Sequence, residues 1–180
     1  MDINYPYIFP EEILSQNKFL SQNSIVSIEP IKHIPKIGLI CGNIGPLDTR
    51  KRIKIPIWLG LILEKEEFCL LKNPSWFNLD WLEKKINKEK KNLALQSVPF
   101  NYLELSSIFI SRKKEKIKFL LIKNSLIEEL YAIRFTKIWS GMKKLQGKIT
   151  AIKFDKIGSI ELDSFKEILQ AFLFLYFFTQ

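Results

Sequence analysis

The 180-residue chain has only two cysteines, Cys41 and Cys69, and a single histidine, His33. That is too little for a disulfide framework and too little for a Cys/His zinc site. Arginine is also scarce, with four residues against 24 lysines. The guanidinium fork that grips phosphates and base edges is therefore hardly available. No apolar run approaches the roughly 20 residues that a membrane-spanning helix needs; the longest nearly unbroken one is Ala171 to Phe178. The opening Met-Asp-Ile-Asn lacks a basic stretch followed by an apolar one, so a secretory leader is not expected. These absences point to a soluble, intracellular protein without disulfide, metal or membrane anchor.

Apolar residues are plentiful: 47% of the chain is hydrophobic, enough for the core of one ordinary domain or two small ones. Intrinsic disorder is excluded on the same ground. The net charge is +9, but the lysines come with 27 isoleucines and 10 asparagines. That trio rises together when codons drift toward A and T. The basic clusters Arg50-Lys51-Arg52, Lys84 to Lys91 and Arg112 to Lys118 have no aromatics interleaved. We therefore read them as solvated faces. A stand-alone Lys-rich nucleic-acid-binding protein is the alternative.

Two hydrophobic periods divide the chain. Three short apolar segments, Ser24 to Glu29, Lys36 to Cys41 and Arg52 to Ile57, are separated by turn formers, among them Gly42-Asn43-Ile44-Gly45-Pro46-Leu47-Asp48. The last alternates, with Ile53, Ile55 and Ile57 on one side and Arg52 and Lys54 on the other. From Pro56, well placed in a first helical turn, the period becomes helical. Asn78 is positioned to cap a helix with Leu79, Leu82 and Ile86 on one face. A further helix fits Pro99 to Ser111. The longest, Ser125 to Leu145, has Ser125 and Glu128 at capping-box spacing and a stripe containing Tyr131 and Arg134. A last helix is expected over Asp163 to Thr179, and Lys148 to Lys156 is left open. The fold class is α+β: a small β-rich domain over 1–56 and a mainly helical domain over 57–180.

Chemistry is thinly supported. His33 lies among Pro30, Ile31, Ile34 and Pro35 without a nucleophile signature, and Gly42-Asn43-Ile44-Gly45 lacks the Gly-Lys-Ser/Thr of a phosphate loop. The acidic pairs Glu66-Glu67 and Glu128-Glu129 are adjacent, so each splays around its helix. No catalytic residue, cofactor or metal is expected, and the chain reads as a non-enzyme. The terminal helix points to a protein partner: Phe165, Phe172 and Tyr176 lie on one stripe, while Phe174, Leu175, Phe177 and Phe178 carry apolar surface around the other sides. Arg134, the odd residue of its stripe, either snorkels from the edge or pairs with a carboxylate.

Five segments in order carry a family likeness: Gly42-Asn43-Ile44-Gly45-Pro46, Ile55-Pro56-Ile57-Trp58-Leu59, Leu70-Leu71-Lys72-Asn73-Pro74-Ser75-Trp76, Pro99 to Leu105, and Leu130 to Ile138. The series resembles subunit 2 of the GINS complex, the partner-of-Sld-five type subunit of eukaryotic DNA replication. The resemblance implies a β-rich domain before a helical one, and a nuclear heterotetramer with three other GINS subunits. It further implies binding to the MCM helicase ring and its Cdc-type cofactor, with no active site, indirect contact with DNA and no membrane. Carried over by position, Pro56, Trp58, Trp76, Tyr102, Leu105 and Arg134 are expected as core or interface residues, and Tyr131, Phe172 and Tyr176 join them from the helical stripes.

Overall fold

The structure, a computed structural model, describes residues 11–40, 42–49, 51–112, 115–143 and 155–178. Within these, the side chains of 11–14, 143, 167–168 and 171–178 are not described. Element order is α1 (Glu11–Ser21), β1 (Ile25–Pro30), β2 (Ile37–Leu39), β3 (Gly42–Ile44), β4 (Ile53–Pro56), α2 (Ile57–Lys65), β5 (Cys69–Leu71), α3 (Leu79–Lys91), α4 (Tyr102–Ser111), α5 (Ile117–Lys143) and α6 (Ser159–Phe178). The α+β class follows directly. No helix among the described residues is long and apolar enough to cross a membrane.

Phe19–Ser75 forms one compact unit. Strand β1 is central, antiparallel to β4 on one side and β5 on the other. Ile28 faces Ile53 across one ladder and Leu71 across the other. The alternation read from Arg52 to Ile57 is realised, with Ile55 and Ile57 buried and Lys54 exposed. The edge strand β5 is only three residues long. Its Leu71 N–H donates to Glu64 Oε1 of α2 at 3.1 Å, so the helix supplies the acceptor that the edge lacks. Gly60 allows this packing, because a Cβ there would stand 2.6 Å from Leu71 Cδ1. On the wet side Glu29 bridges Arg52 and Lys72, each at 2.7 Å. Those bonds, Lys72 first, hold its carboxyl below the usual range. The Gly42–Ile44 stretch, expected as a turn, forms a short strand paired with β2. Gly45 takes φ +96°, a conformation that favours glycine.

The period change at Pro56 marks the β4–α2 junction, and the expected 56/57 boundary falls inside this unit. The reason is packing: α2 packs on the sheet and β5 completes it beside β1, so the unit closes at Ser75.

The second unit contains residues 11–18 and the described chain from Trp76 onward. Asn78 Oδ1 accepts from the Asp80 N–H at 3.2 Å and caps α3, as its position before the apolar stripe implies. Asn78→Ala is expected to cost about 1 kcal/mol of stability, read by urea unfolding. Leu82 and Ile86 of α3 are buried, and α3 packs along α5, with α4 on α5 as well. Helix α5 begins at Ile117, not at Ser125. Phe119 N–H and Leu120 N–H both donate to the Lys116 carbonyl, which starts the helix upstream. Ser125 is thus interior, and Glu128 instead accepts from Asn124 Nδ2 at 2.8 Å. Lys123, buried near the same end, meets both oxygens of Glu115 at 2.7 Å. Helix α6 also begins earlier than expected, at Ser159, whose N–H donates to the Phe100 carbonyl. Of Lys148 to Lys156, residues 148–154 lie outside the described residues.

Candidate interaction surface and the buried ion network

Arg134 is fully buried on α5 and satisfies its whole guanidinium fork. Nε and Nη2 donate to Glu161 Oε1 and Oε2 of α6 at 2.6 and 2.8 Å. Nη1 donates to Glu89 Oε1 of α3 at 2.6 Å and to the Gln96 carbonyl at 2.8 Å. Nη2 also donates to the Lys156 carbonyl at 2.7 Å. Of the two roles open for Arg134 in the sequence, the structure selects the ion pair.

The carboxylates are fully engaged in turn. Glu161 accepts from the Tyr102 hydroxyl at 2.7 Å and from the Gly158 N–H at 2.8 Å. Glu89 accepts from the Gln96 N–H at 2.9 Å and from Lys137 Nζ. Burial alone would push the Glu89 carboxyl up, but Lys137, Gln96 and Arg134 outweigh it and hold it below the usual range. For Arg134, burial opposes the charge and the Glu161 bonds more than restore it, so its affinity for the proton rises. Burial, then the Glu161 charge, keeps the Tyr102 hydroxyl protonated far above its ordinary range. Burial likewise pushes Tyr131 up to about 12. A network so completely paired joins α3, α4, α5 and α6 into one unit and leaves no proton poised for transfer.

Glu104, in the first turn of α4, is the exception. It is 3% exposed, and among the described residues neither carboxylate oxygen has a hydrogen bond of ordinary geometry. Burial, with a smaller push from Asp163 and Glu161, raises its pKa to about 7. The pull of its own N–H and of the Ser159 hydroxyl does not offset that.

The residues singled out in the sequence divide by exposure. Tyr102, Leu105, Tyr131 and Arg134 are buried within the helical unit. Tyr102 and Arg134 meet directly, the guanidinium carbon 6.0 Å from the ring centroid. Pro56 and Trp58 are half-buried at the β4–α2 junction of the other unit. Trp76, also half-buried, lies edge-on to Phe77 and Trp81 at 5.8 and 6.5 Å. Phe172 and Tyr176 lie on α6, their side chains outside the described residues. Sequence reasoning missed Glu89 and Glu161. Glu89 had a signal: it follows Leu82 and Ile86 at helical spacing, a carboxylate on an apolar stripe.

Exposed apolar residues stand out at the start of α5: Ile117 is 71% exposed, Leu121 53% and Phe119 46%. Ile117 and Leu121, one turn apart, share a helix face. Among the described residues there is no group of three or more His, Cys, Asp or Glu that could hold a metal ion.

Against known proteins, residues 14–71 match the family model described as the PSF2 N-terminal domain. Residues 76–173 match the GINS complex protein helical bundle domain. The chain belongs to the PSF2 family of GINS proteins. Its relatives include the DNA replication complex GINS protein PSF2 of Debaryomyces hansenii, 30% identical over 154 residues, which cover 84% of this chain and 74% of the relative. The Candida albicans protein of the same name is 31% identical over 140 residues, 77% of this chain and 67% of that protein. The human one is 27% identical over 122 residues, 67% and 66% of the two chains. The two family matches meet between residues 71 and 76, beside the end of the β-rich unit at Ser75.

Proposed function

We propose that this chain is a non-catalytic subunit of a GINS heterotetramer in the nucleus. There it acts as a scaffold that couples the MCM helicase ring to its Cdc-type cofactor in the initiation and elongation of DNA replication. The observation that carries this reading is that the N-terminal domain and the helical bundle of one family match in order along the chain. Its relatives are named as proteins of the DNA replication complex. The physical side agrees. Arg134, Glu89 and Glu161 of the helical unit are locked in a paired network, while Ile117, Phe119 and Leu121 present apolar surface. Burying such residues against a partner stabilises an interface by roughly 1.5–3 kcal/mol each.

The test is co-expression with the three other subunits, followed by mass determination of the intact complex. A one-to-one-to-one-to-one tetramer is expected, as is poor solubility of the chain alone. A soluble monomer at high concentration, indifferent to those subunits, overturns the proposal. Within the complex, the Ile117→Asp, Leu121→Asp pair is expected to reduce recovery of partners about tenfold or more while the chain's own helicity is unchanged. Undiminished recovery would assign the interface to another face.

A further inference from the structure

We propose that the outer face of α3 is a strip that binds the phosphodiester backbone of nucleic acid without reading its sequence. At 100° per residue, Lys84, Lys85, Lys88 and Lys91 fall with Trp81 inside about 120° of helix arc. No carboxylate shares that arc; Asp80 borders it about 20° beyond one edge, and Glu89, about 40° beyond the other, is buried and paired with Arg134 and Lys137. The fold adds what sequence spacing cannot: Lys156, from just before α6, comes close enough to act electrostatically on Lys85. It is placed there by its own carbonyl, which Arg134 holds, on a backbone turned to φ +62°.

The lysines around this strip differ in kind. Lys90 is neutralised by Glu129 at 2.6 Å, and Lys137 by Glu89. Lys84, Lys88, Lys91 and Lys156 are exposed and make no ion pair among the described residues. Lys85 is held between the Ser97 carbonyl, 2.5 Å away, and the Trp81 ring, 5.0 Å from its centroid. Its proton affinity is lowered by burial first and by Lys88 next, against an opposing pull from Glu89.

Charge complementarity chooses a polyanion, and geometry chooses its backbone. Lys84 to Lys91 spans about 10 Å of helix, the axial rise of about three phosphates on one strand of a duplex. Lys85 occupies one face of the half-buried Trp81, and lysines that meet phosphates carry no sequence information, so sequence-independent binding follows.

The test uses the full chain together with whatever subunits it carries. The probes are a fluorescein-labelled duplex of about 30 base pairs, a single strand of the same length, and polyglutamate as competitor. The triple substitution Lys84→Gln, Lys88→Gln, Lys91→Gln is expected to weaken binding about tenfold or more and to lower the salt slope by two to three units, roughly 0.7–0.9 per phosphate contact. The charge-matched control Lys36→Gln, Lys54→Gln, Lys65→Gln, at exposed positions of the other unit, is expected to stay within about twofold. Equal loss in both triples would mean diffuse charge and overturn the strip, as would unchanged affinity in the first. Polyglutamate that outcompetes DNA at equal charge would overturn it in favour of an acidic protein segment.

Discussion

Arg134→Met is expected to lower the free energy of unfolding by about 3–5 kcal/mol, the largest effect of any single substitution considered for this chain. The cause is what remains: Glu89 and Glu161, both buried, would keep their negative charge with the central cation gone. The carbonyls of Gln96 and Lys156 would lose their donor at the same time. Arg134→Lys retains the charge but offers one compact ammonium where a planar fork serves three elements, so most of the loss should persist. The combination Arg134→Met, Glu89→Gln, Glu161→Gln is the informative control. If stranded charge is the cost, removing the carboxylates as well should recover part of the stability. Urea unfolding at fixed protein concentration decides it. An Arg134→Met protein within about 1 kcal/mol of wild type would show that the network is not what holds the four helices together.

The second large effect concerns pH. Glu104 has its native pKa raised to about 7 by burial, above the ordinary carboxylate value of 4.5. Between those values the folded chain keeps a proton that the unfolded chain releases, so this group's contribution is fully present below pH 4.5. It is lost as pH rises through about 7. Its size is about 3 kcal/mol. Glu104→Gln removes the titration while preserving shape. The stability of the variant relative to wild type should therefore climb between pH 4.5 and 7.5, then level off. Glu89 acts in the opposite sense: its lowered pKa adds stability above 4.5 that is lost as pH falls. Measuring the Glu104→Gln difference at each pH cancels that background. A difference that does not vary with pH would sink the assignment.

How far these sites were legible depends on the range of the interaction. Asn78 was readable as a cap because the capping bond spans two residues, to Asp80. The core face of β4 was readable because Ile53 and Ile55 alternate with the exposed Lys54. Arg134 was visible as a charge on an apolar stripe, although its partners were not. Glu89 lies 45 residues before it and Glu161 27 residues after, and nothing local links them. Strand β5 escaped notice for a similar reason. Three residues, Cys69–Leu71, have no period of their own and become a strand only because β1 presents its edge and Glu64 an acceptor. At α5 a local signal misled: Ser125 and Glu128 have the right spacing for a cap, but the helix already runs through them from Ile117.

The sequence by itself determined the class of the molecule. Two hydrophobic periods in succession separate strands from helices, and five ordered segments carry the family likeness. These are properties of neighbouring residues, which pattern and composition express directly. Only the tertiary structure decided where the compact β-rich unit ends, which carboxylates meet Arg134, that Glu104 is buried without a full partner, and that Lys156 joins the lysines of α3. Each of these depends on desolvation or on contacts between distant segments. Both arise only when the helices pack, and neither has a signature in the spacing of adjacent residues.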